Sequence, residues 1–218
     1  MILGRHRLRS MLWLPCVLTL LASPTAAFAD DWDDEGESFY FDGSSYFSIG
    51  YSYLAEATSR QIGQPSKGKG FHTVAGGVKH AEGLNAVLGK RIWEYIAIES
   101  QFEYADGFRF ADTDGDTFKL KVYTTTVNAK IFPLHNVLDG FNEGRLQPHL
   151  LTGLGLMVTK DLDIKTGAAL AFRVGGGIDY FVSDRWAVNF KTSYVIPVGL
   201  LKGLRFVSTS IGLSYQLE

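Results

Sequence analysis

Residues 46–55 read Tyr-Phe-Ser-Ile-Gly-Tyr-Ser-Tyr-Leu-Ala, and large apolar side chains recur at every second position from Phe47 to Tyr53. The side chains between them, from Ser48 to Ser52, are small. Successive side chains of a β-strand point to opposite faces of the sheet. This period of two therefore predicts a strand with one apolar face and one small, polar face.

The same alternation recurs through the rest of the chain. It predicts eight strands, at residues 44–55, 84–92, 94–105, 119–132, 148–160, 167–182, 185–197 and 205–217. Two strands are less regular: Lys90 falls on the apolar face of the second, and the facing of the fourth cannot be assigned without allowing a β-bulge. A tilted strand needs about 9–11 residues to cross the hydrocarbon layer of a membrane, and these lengths meet that requirement.

A soluble β-sandwich would give a similar alternation, and three features favour a membrane barrel. The small face is rich in glycine, which suits the narrow interior of an eight-stranded barrel. Aromatic residues lie beside the short turns, as in the girdle at a membrane boundary. These turns, at 92–94 and 182–185, are predicted at the end opposite the long 56–83 link. The predicted fold is an all-β, eight-stranded, antiparallel up-and-down transmembrane β-barrel.

The glycine-rich small face and the aromatic residues beside the short turns consist of the following residues. The glycines are Gly153, Gly155, Gly175, Gly177 and Gly212. The aromatic residues are Trp93, Tyr95, Phe132, Tyr180, Phe181, Trp186 and Tyr215.

The N-terminal residues have the pattern of a secretory signal peptide. Arg5, Arg7 and Arg9 form a basic head, and the apolar run that follows is shorter than the about 20 residues of a spanning helix. Ala27 and Ala29 form an A-x-A cleavage site. The predicted division is a signal peptide at 1–29, an acidic N-terminal tail at 30–43 and an outer-membrane β-barrel domain at 44–218.

Cleavage after Ala29 would change the net charge and remove the single cysteine. The formal net charge would go from −2 to −5, because three arginines and no acidic residue leave. This mild acidic balance gives no electrostatic reason to expect nucleic-acid binding. Cys16 leaves as well, so the mature chain is expected to contain no disulfide.

Several segments together resemble a known family. They are Gly-Leu-Asn-Ala-Val-Leu-Gly-Lys-Arg at 83–91, Tyr-Ile-Ala-Ile-Glu-Ser-Gln-Phe-Glu-Tyr at 95–104, Gln-Pro-His-Leu-Leu-Thr-Gly-Leu-Gly at 147–155 and Val-Gly-Gly-Gly-Ile-Asp-Tyr-Phe at 174–181. The chain resembles the OmpA/OmpX-like small outer-membrane β-barrels over about residues 44–218. The resemblance implies that the protein lies in the outer membrane of a Gram-negative bacterium and contacts the lipid and lipopolysaccharide of that membrane. It also implies delivery by periplasmic chaperones and the barrel-assembly machinery.

The C-terminal strand resembles the signal that the barrel-assembly machinery reads. The matching positions are Ser210, Gly212, Tyr215 and Leu217. Bacterial members of the family commonly end in Phe, whereas this chain ends in Leu217-Glu218, so the match is partial.

Five charged residues are predicted to face the barrel interior. They are Glu99, Glu103, Arg173, Asp179 and Lys191. One interpretation is a polar pore lining. The other, which we favour, is a network of ion pairs that fills the interior and fixes the strand register, because eight strands leave little free space.

No motif predicts an enzyme, a metal site or a cofactor. Lipid A deacylases of this barrel type share a His-x-Ser motif, which His72, His80, His135 and His149 all lack. Residues 112–116, Asp-Thr-Asp-Gly-Asp, lack the spacing and terminal Glu of a calcium-binding EF-hand. No Cys/His cluster predicts a transition-metal site.

The function predicted from these observations is structural, envelope-stabilising or surface-recognising. The basic 56–83 loop is a candidate to bind a surface ligand. The first alternative is a narrow, nonspecific pore, and the second is a lipid A-modifying enzyme.

Overall fold

The computed structural model describes residues 43–59, 72–73, 80–111, 117–138, 144–160 and 167–217. Within these ranges the strands are β1 (Ser45–Ser59), β2 (His72–Thr73), β3 (His80–Trp93), β4 (Ile96–Ala111), β5 (Thr117–Ile131), β6 (Leu146–Lys160), β7 (Gly167–Phe181), β8 (Trp186–Pro197) and β9 (Leu204–Leu217). They also contain the short helix α1 (His135–Leu138) and a 3₁₀ turn at Gly199–Leu201. No helix in the described part of the chain is long and apolar enough to cross a membrane.

Eight long strands close into a ring in which every strand is antiparallel to its neighbours. The order follows the sequence, and β1 closes the ring because it pairs with both β3 and β9. At the closing seam Gly50 lies opposite Asn85 on one side and Gly212 on the other. The two-residue strand β2 pairs with the end of β4. The predicted all-β, eight-stranded, antiparallel up-and-down barrel is confirmed.

The two ends of the barrel differ in their connections. At one end, here called the short-turn end, β3 is joined to β4 by two residues and β7 to β8 by four. The opposite end, here called the long-loop end, carries the connections from β1 to β3, β4 to β5, β6 to β7 and β8 to β9. The two short turns therefore lie opposite the long 56–83 link, as the sequence predicts. The link from β5 to β6, at 132–145, also begins and ends at the short-turn end and has 14 residues, so the links do not alternate strictly in length.

Every long strand presents apolar side chains to the outside of the barrel. One example per strand, each at least 45% exposed, is Ile49, Leu84, Phe102, Val127, Leu154, Phe172, Phe190 and Ile211. Aromatic pairs flank this apolar band. Trp186 contacts Tyr215 at the short-turn end, with ring centroids 4.9 Å apart, and Tyr104 contacts Tyr123 nearer the long-loop end, with centroids 5.1 Å apart.

Several strands extend further toward the long-loop end than the sequence predicts. β1 continues to Ser59 instead of residue 55, and β4 continues to Ala111 instead of residue 105. Both extensions follow a shift in register, between Glu56 and Thr58 in β1 and between Asp106 and Phe108 in β4. A β-bulge interrupts the period of two while pairing continues beyond it. The sequence pattern therefore ends before the strand does.

The β-bulge that the sequence pattern allows within residues 119–132 lies instead in the neighbouring strand β4. The pairing of β5 with β6 has no register shift between its first pair, Lys121 and Lys160, and its last pair, Ile131 and Leu150. The irregularity next to β5 lies in β4. The inward residues of β5 are Val122, Thr124, Thr126, Asn128 and Lys130. Lys90 lies on the outward face of β3 and is partly exposed, as predicted.

Some predicted features lie outside the described residues. These are the signal peptide with Ala27 and Ala29, the acidic tail as far as residue 42, and residues 112–116. Of the predicted 56–83 loop, residues 56–59 and 80–83 belong to β1 and β3, and residues 72–73 form β2. The rest of that loop lies outside the described residues.

Gly155 allows β5 and β6 to approach closely inside the barrel. A Cβ atom at this position would lie 1.9 Å from the backbone oxygen of Thr125 and 2.6 Å from Cα of Thr126. We expect Gly155→Ala to destabilise the barrel by about 1–3 kcal/mol, the usual cost of overpacking, in equilibrium unfolding by urea. Gly167→Ala is the matched control, because its nearest contacts are the side chains of Thr159 and Leu201. Equal stability of the two variants would contradict the prediction.

Candidate functional site in the barrel interior

The middle of the barrel interior contains a group of buried ions, here called the interior ion network. Its members are Glu99, Glu103, Lys130, Arg173, Asp179 and Lys191. Each is at most 7% exposed. Three carboxylates and three cations leave no net charge in the network, as expected where ions are removed from water.

One part of the network joins β4 to β7. The guanidinium of Arg173 donates a hydrogen bond from Nη2 to Oε2 of Glu103 over 2.7 Å, and another from Nη1 to Oγ of Ser193 over 3.0 Å. The hydroxyl of Ser208 donates to Oε1 of Glu103. Because Glu103 is 1% exposed and Arg173 is 2% exposed, the protein supplies the partners that water would otherwise provide.

A second part centres on Glu99, which is fully buried. Lys191 Nζ lies 3.1 Å from Glu99 Oε2, and Lys130 Nζ lies 3.2 Å from Oε1. The hydroxyl of Tyr46 donates to Oε1 over 2.6 Å. Lys130 also donates to Oδ2 of Asp179, so a single ammonium group bridges two carboxylates.

The structure places all five sequence-predicted charges inside the barrel but divides them between these two parts. Asp179 joins the network through Lys130, which the sequence analysis missed. Tyr46 and His149 were missed as well: Tyr46 donates to Glu99, and His149 Nδ1 lies 3.7 Å from Oδ2 of Asp179. Continuing the alternation from Val122 through β5 would have placed Lys130 inside. The similar polarity of the two faces of β5 hid that signal.

Polar side chains without charge extend the network to other strands. Asn189 donates to Ser48 of β1 over 2.9 Å and to Ser214 of β9 over 2.8 Å. Asn128 donates to Gln101 over 3.2 Å. The bond from Asn189 to Ser48 joins β8 to β1, which are not neighbours, whereas the other two bonds join the neighbouring pairs β8–β9 and β4–β5. Their geometry depends on the register of the barrel.

A packed apolar layer fills the interior between the ion network and the long-loop end. All eight long strands contribute to it, through Leu54, Ala81, Phe108, Val122, Met157, Ala171, Val195 and Phe206, each no more than 1% exposed. Leu201 from the 3₁₀ turn packs against the same layer. Because contributions come from the whole circumference, the apolar layer extends across the barrel.

The short-turn end contains a pocket beside a smaller apolar cluster. Tyr46, Arg91, Lys130, Phe132 and Asp179 are among the side chains that line the pocket. The guanidinium of Arg91 lies 4.0 Å from the ring centroid of Phe132, and its Nη2 donates to Gln147 over 2.7 Å. Water can therefore approach the ion network more closely from this end than through the apolar layer.

The four residues of the predicted assembly signal are divided between the two faces of β9. Ser210 and Gly212 face the interior, where Ser210 is 5% exposed. Tyr215 and Leu217 face outward, and Tyr215 packs against Trp186. Their role in assembly stays a prediction.

Two observations bear on metal ligands and on the histidine inside the barrel. In the described part of the chain, no group of three or more His, Cys, Asp or Glu side chains could hold a metal ion. His149 is close to Asp179, but it is 3% exposed and faces the interior, away from the outer apolar band.

Comparison with solved structures identifies proteins of the same architecture. Neisserial surface protein A is 13% identical, with a TM-score of 0.56 and coverage of 81% of this chain and 100% of that chain. OprG from Pseudomonas aeruginosa is 13% identical, with a TM-score of 0.54 and coverage of 85% and 100%. Ail from Yersinia pestis, solved with the heparin analogue sucrose octasulfate, is 15% identical, with a TM-score of 0.51 and coverage of 81% and 100%.

These similarities show the fold, which is that of small outer-membrane β-barrels. No protein-family model matches the chain, and the sequence of no curated protein matches it. The narrower resemblance to OmpA and OmpX therefore stays a prediction.

Proposed function

We propose that the protein is an integral β-barrel of a Gram-negative outer membrane, with a closed interior and a structural role in the envelope. Its long-loop end would face the outside of the cell and could present loops for recognition. Export through a signal peptide at 1–29 and assembly through the C-terminal strand are parts of this proposal, as is membership of the OmpA/OmpX-like group.

The observation that carries the proposal is the apolar outer band on a closed ring of strands. Its side chains, such as Leu154 at 60% exposed and Ile211 at 56% exposed, continue around the circumference. Soluble monomers rarely expose contiguous apolar patches larger than a few hundred Å². A lipid bilayer is the environment in which such a band is stable, and a barrel suits it because each long strand is paired on both sides.

The packing of the interior favours a closed barrel over the alternative of a narrow pore. The apolar layer crosses the interior, and Leu54, Met157 and Phe206 in that layer have no exposed surface. Ions cross a membrane through pores lined with polar groups or water. An apolar layer of this kind would have to move aside before an ion could pass.

The lipid A-modifying alternative has less support. A lipid substrate would approach the outer band or its rim, whereas the His149–Asp179 pair is enclosed by the barrel. Recognition of surface ligands keeps more support, since loops on rigid barrels commonly carry function. The sulfated ligand in the Ail structure illustrates one such ligand for a barrel of this fold.

Planar-bilayer conductance tests the closed interior. We expect the protein, purified from the membranes of an expressing host, to insert and give no steady openings, because the apolar layer excludes water and ions. A general porin reconstituted in the same bilayer is the positive control. Steady openings would favour the pore, and conversion of lipid A to products of altered mass would favour the enzyme. Recovery in the soluble periplasmic fraction would contradict the membrane location itself.

A further inference from the structure

The link between β5 and β6 exposes apolar side chains at the short-turn end. It spans 132–145 and contains α1, and the backbone N–H groups of Val137 and Leu138 both donate to the carbonyl oxygen of Leu134. The helical turn therefore begins at Leu134. Leu134 is 43% exposed and Val137 is 68% exposed. Because residues three positions apart lie on the same side of a helical turn, the two side chains form one apolar edge.

The strand register relates this edge to the outer surface of the barrel. A register shift between Arg91 and Trp93 brings Trp93 opposite Ile96. Ile96 in turn lies opposite Ile131, which is 38% exposed on the outward face of β5. Trp93, which is 52% exposed, therefore belongs to the same outward row. This row contains the last paired residues of β3, β4 and β5 at the short-turn end.

Stacked rings connect the outward row to α1. The rings of Trp93 and Tyr95 are nearly parallel, with centroids 6.1 Å apart. The ring centroid of His135, the first residue of α1, lies 5.8 Å from that of Tyr95. His135 Nε2 also lies 3.6 Å from Oε2 of Glu94. A helix of four residues is not stable alone, so these contacts with the β3–β4 turn hold α1 beside the outward aromatic residues.

The exposed aromatic and aliphatic side chains around α1 form a surface, here called the apolar rim. It consists of Trp93, Tyr95, Leu134 and Val137. Trp and Tyr concentrate where lipid headgroups meet the acyl chains, and amphipathic helical segments bury their apolar side chains at the same depth. The rim also continues the apolar band, through Ile96 and Ile131. This continuity favours lipid over a protein partner as the material that covers the rim.

We propose that the apolar rim anchors the barrel in the periplasmic leaflet of the outer membrane, with Leu134 and Val137 among the upper acyl chains of its phospholipids. The proposal rests on the membrane location proposed above and deepens it. The aromatic pair Trp186–Tyr215 joins β8 to β9, whereas the rim follows β4 and β5 on the opposite side of the eight-stranded ring. Anchors on both sides would fix the depth and the tilt of the short-turn end.

The test places an environment-sensitive fluorophore at single cysteines of the Cys16→Ser protein in phosphatidylcholine nanodiscs. Val137→Cys reports on the rim. Asp184→Cys is the matched control, because Asp184 is exposed in the β7–β8 turn at the same end. We expect lipids with a nitroxide high on the acyl chain to quench the Val137→Cys label, and aqueous Co²⁺ to have little effect on it. The Asp184→Cys label should show the reverse.

Two further labels make each outcome decisive. Leu134→Cys repeats the measurement on the same edge, and Leu154→Cys reports whether the apolar band is in the bilayer. Equal quenching of the Val137→Cys and Asp184→Cys labels by Co²⁺ would overturn the proposal. Protection of the rim labels from both quenchers would also overturn it, since a protein surface would then cover them.

The Leu154→Cys label separates this proposal from the proposed function. Lipid quenching at that position without lipid quenching at Val137→Cys removes the anchor alone. Absence of lipid quenching at Leu154→Cys removes the membrane location itself. Heat-modifiable electrophoretic mobility reports independently whether each labelled variant forms a folded barrel.

Discussion

Leu154→Arg is expected to reduce the free energy of folding into a bilayer by about 2–4 kcal/mol, the cost of an arginine on the lipid face near the midplane of a barrel. Leu154 occupies the middle of β6, with Val127 of β5 and Phe172 of β7 beside it. Its side chain is 60% exposed and lies within the apolar band. Urea titration of the barrel in liposomes, followed by electrophoretic mobility of the folded form, measures the change.

Val182→Arg is the control for this experiment. Val182 is also apolar and outward, at 52% exposed, but it lies in the turn between β7 and β8 at the short-turn end. An arginine there reaches the headgroup region, where the cost falls to about 0–1 kcal/mol. A similar loss of folding free energy in both variants, or no loss in either, would show that the apolar band does not contact lipid.

The outer face of the barrel could be predicted from the sequence because lipid imposes a simple rule on it. Every second residue must be apolar whatever its neighbours are, as from Phe47 to Tyr53 in β1. The same alternation places Leu154, Ile178 and Leu213 on the apolar face of their strands, and their side chains are 60%, 43% and 51% exposed. This rule is local to each strand, so it requires no knowledge of which strands are adjacent.

The interior could be predicted only in part, because its contacts depend on the register around the ring. Glu99 was placed inside correctly, but the bridge from Lys130 to Asp179 joins strands β5 and β7, which are not neighbours. Alternation within one strand shows which face a charge occupies. It does not show which charge on another strand lies at the same level along the barrel axis and can form an ion pair with it.

The apolar layer could not be predicted from the sequence, for a related reason. Leu54, Met157 and Phe206 are apolar residues on the face that was expected to be small and polar, so they reduced the contrast between the two faces. Phe108 follows the bulge in β4 and reaches the interior only because of it. Such residues can be recognised as one layer only after the strands are aligned.

Arg173→Ala is expected to lower the free energy of unfolding by about 3–5 kcal/mol, because Glu103 would keep its desolvation cost without its main partner. Glu103 is 1% exposed, and after the substitution it keeps the hydrogen bond from the hydroxyl of Ser208 but no longer has the ion pair with Arg173. Urea titration in liposomes measures the loss as a lower unfolding midpoint. Lys202→Ala, an exposed cation near the long-loop end, is the control and should leave the midpoint nearly unchanged.

The double variant Arg173→Met/Glu103→Gln separates an unpaired buried ion from a general packing defect. Removing both charges of a buried pair is often neutral or stabilising, so most of the stability lost in Arg173→Ala should return. The pair is in direct contact, at 2.7 Å, and a double-mutant cycle of Arg173→Met, Glu103→Gln and their combination should therefore show strong coupling. In a water-filled channel, solvent would stabilise the free carboxylate of Glu103. The urea unfolding midpoint of Arg173→Ala would then equal that of the parent while its ion selectivity changed. That result would contradict the proposal of a closed interior.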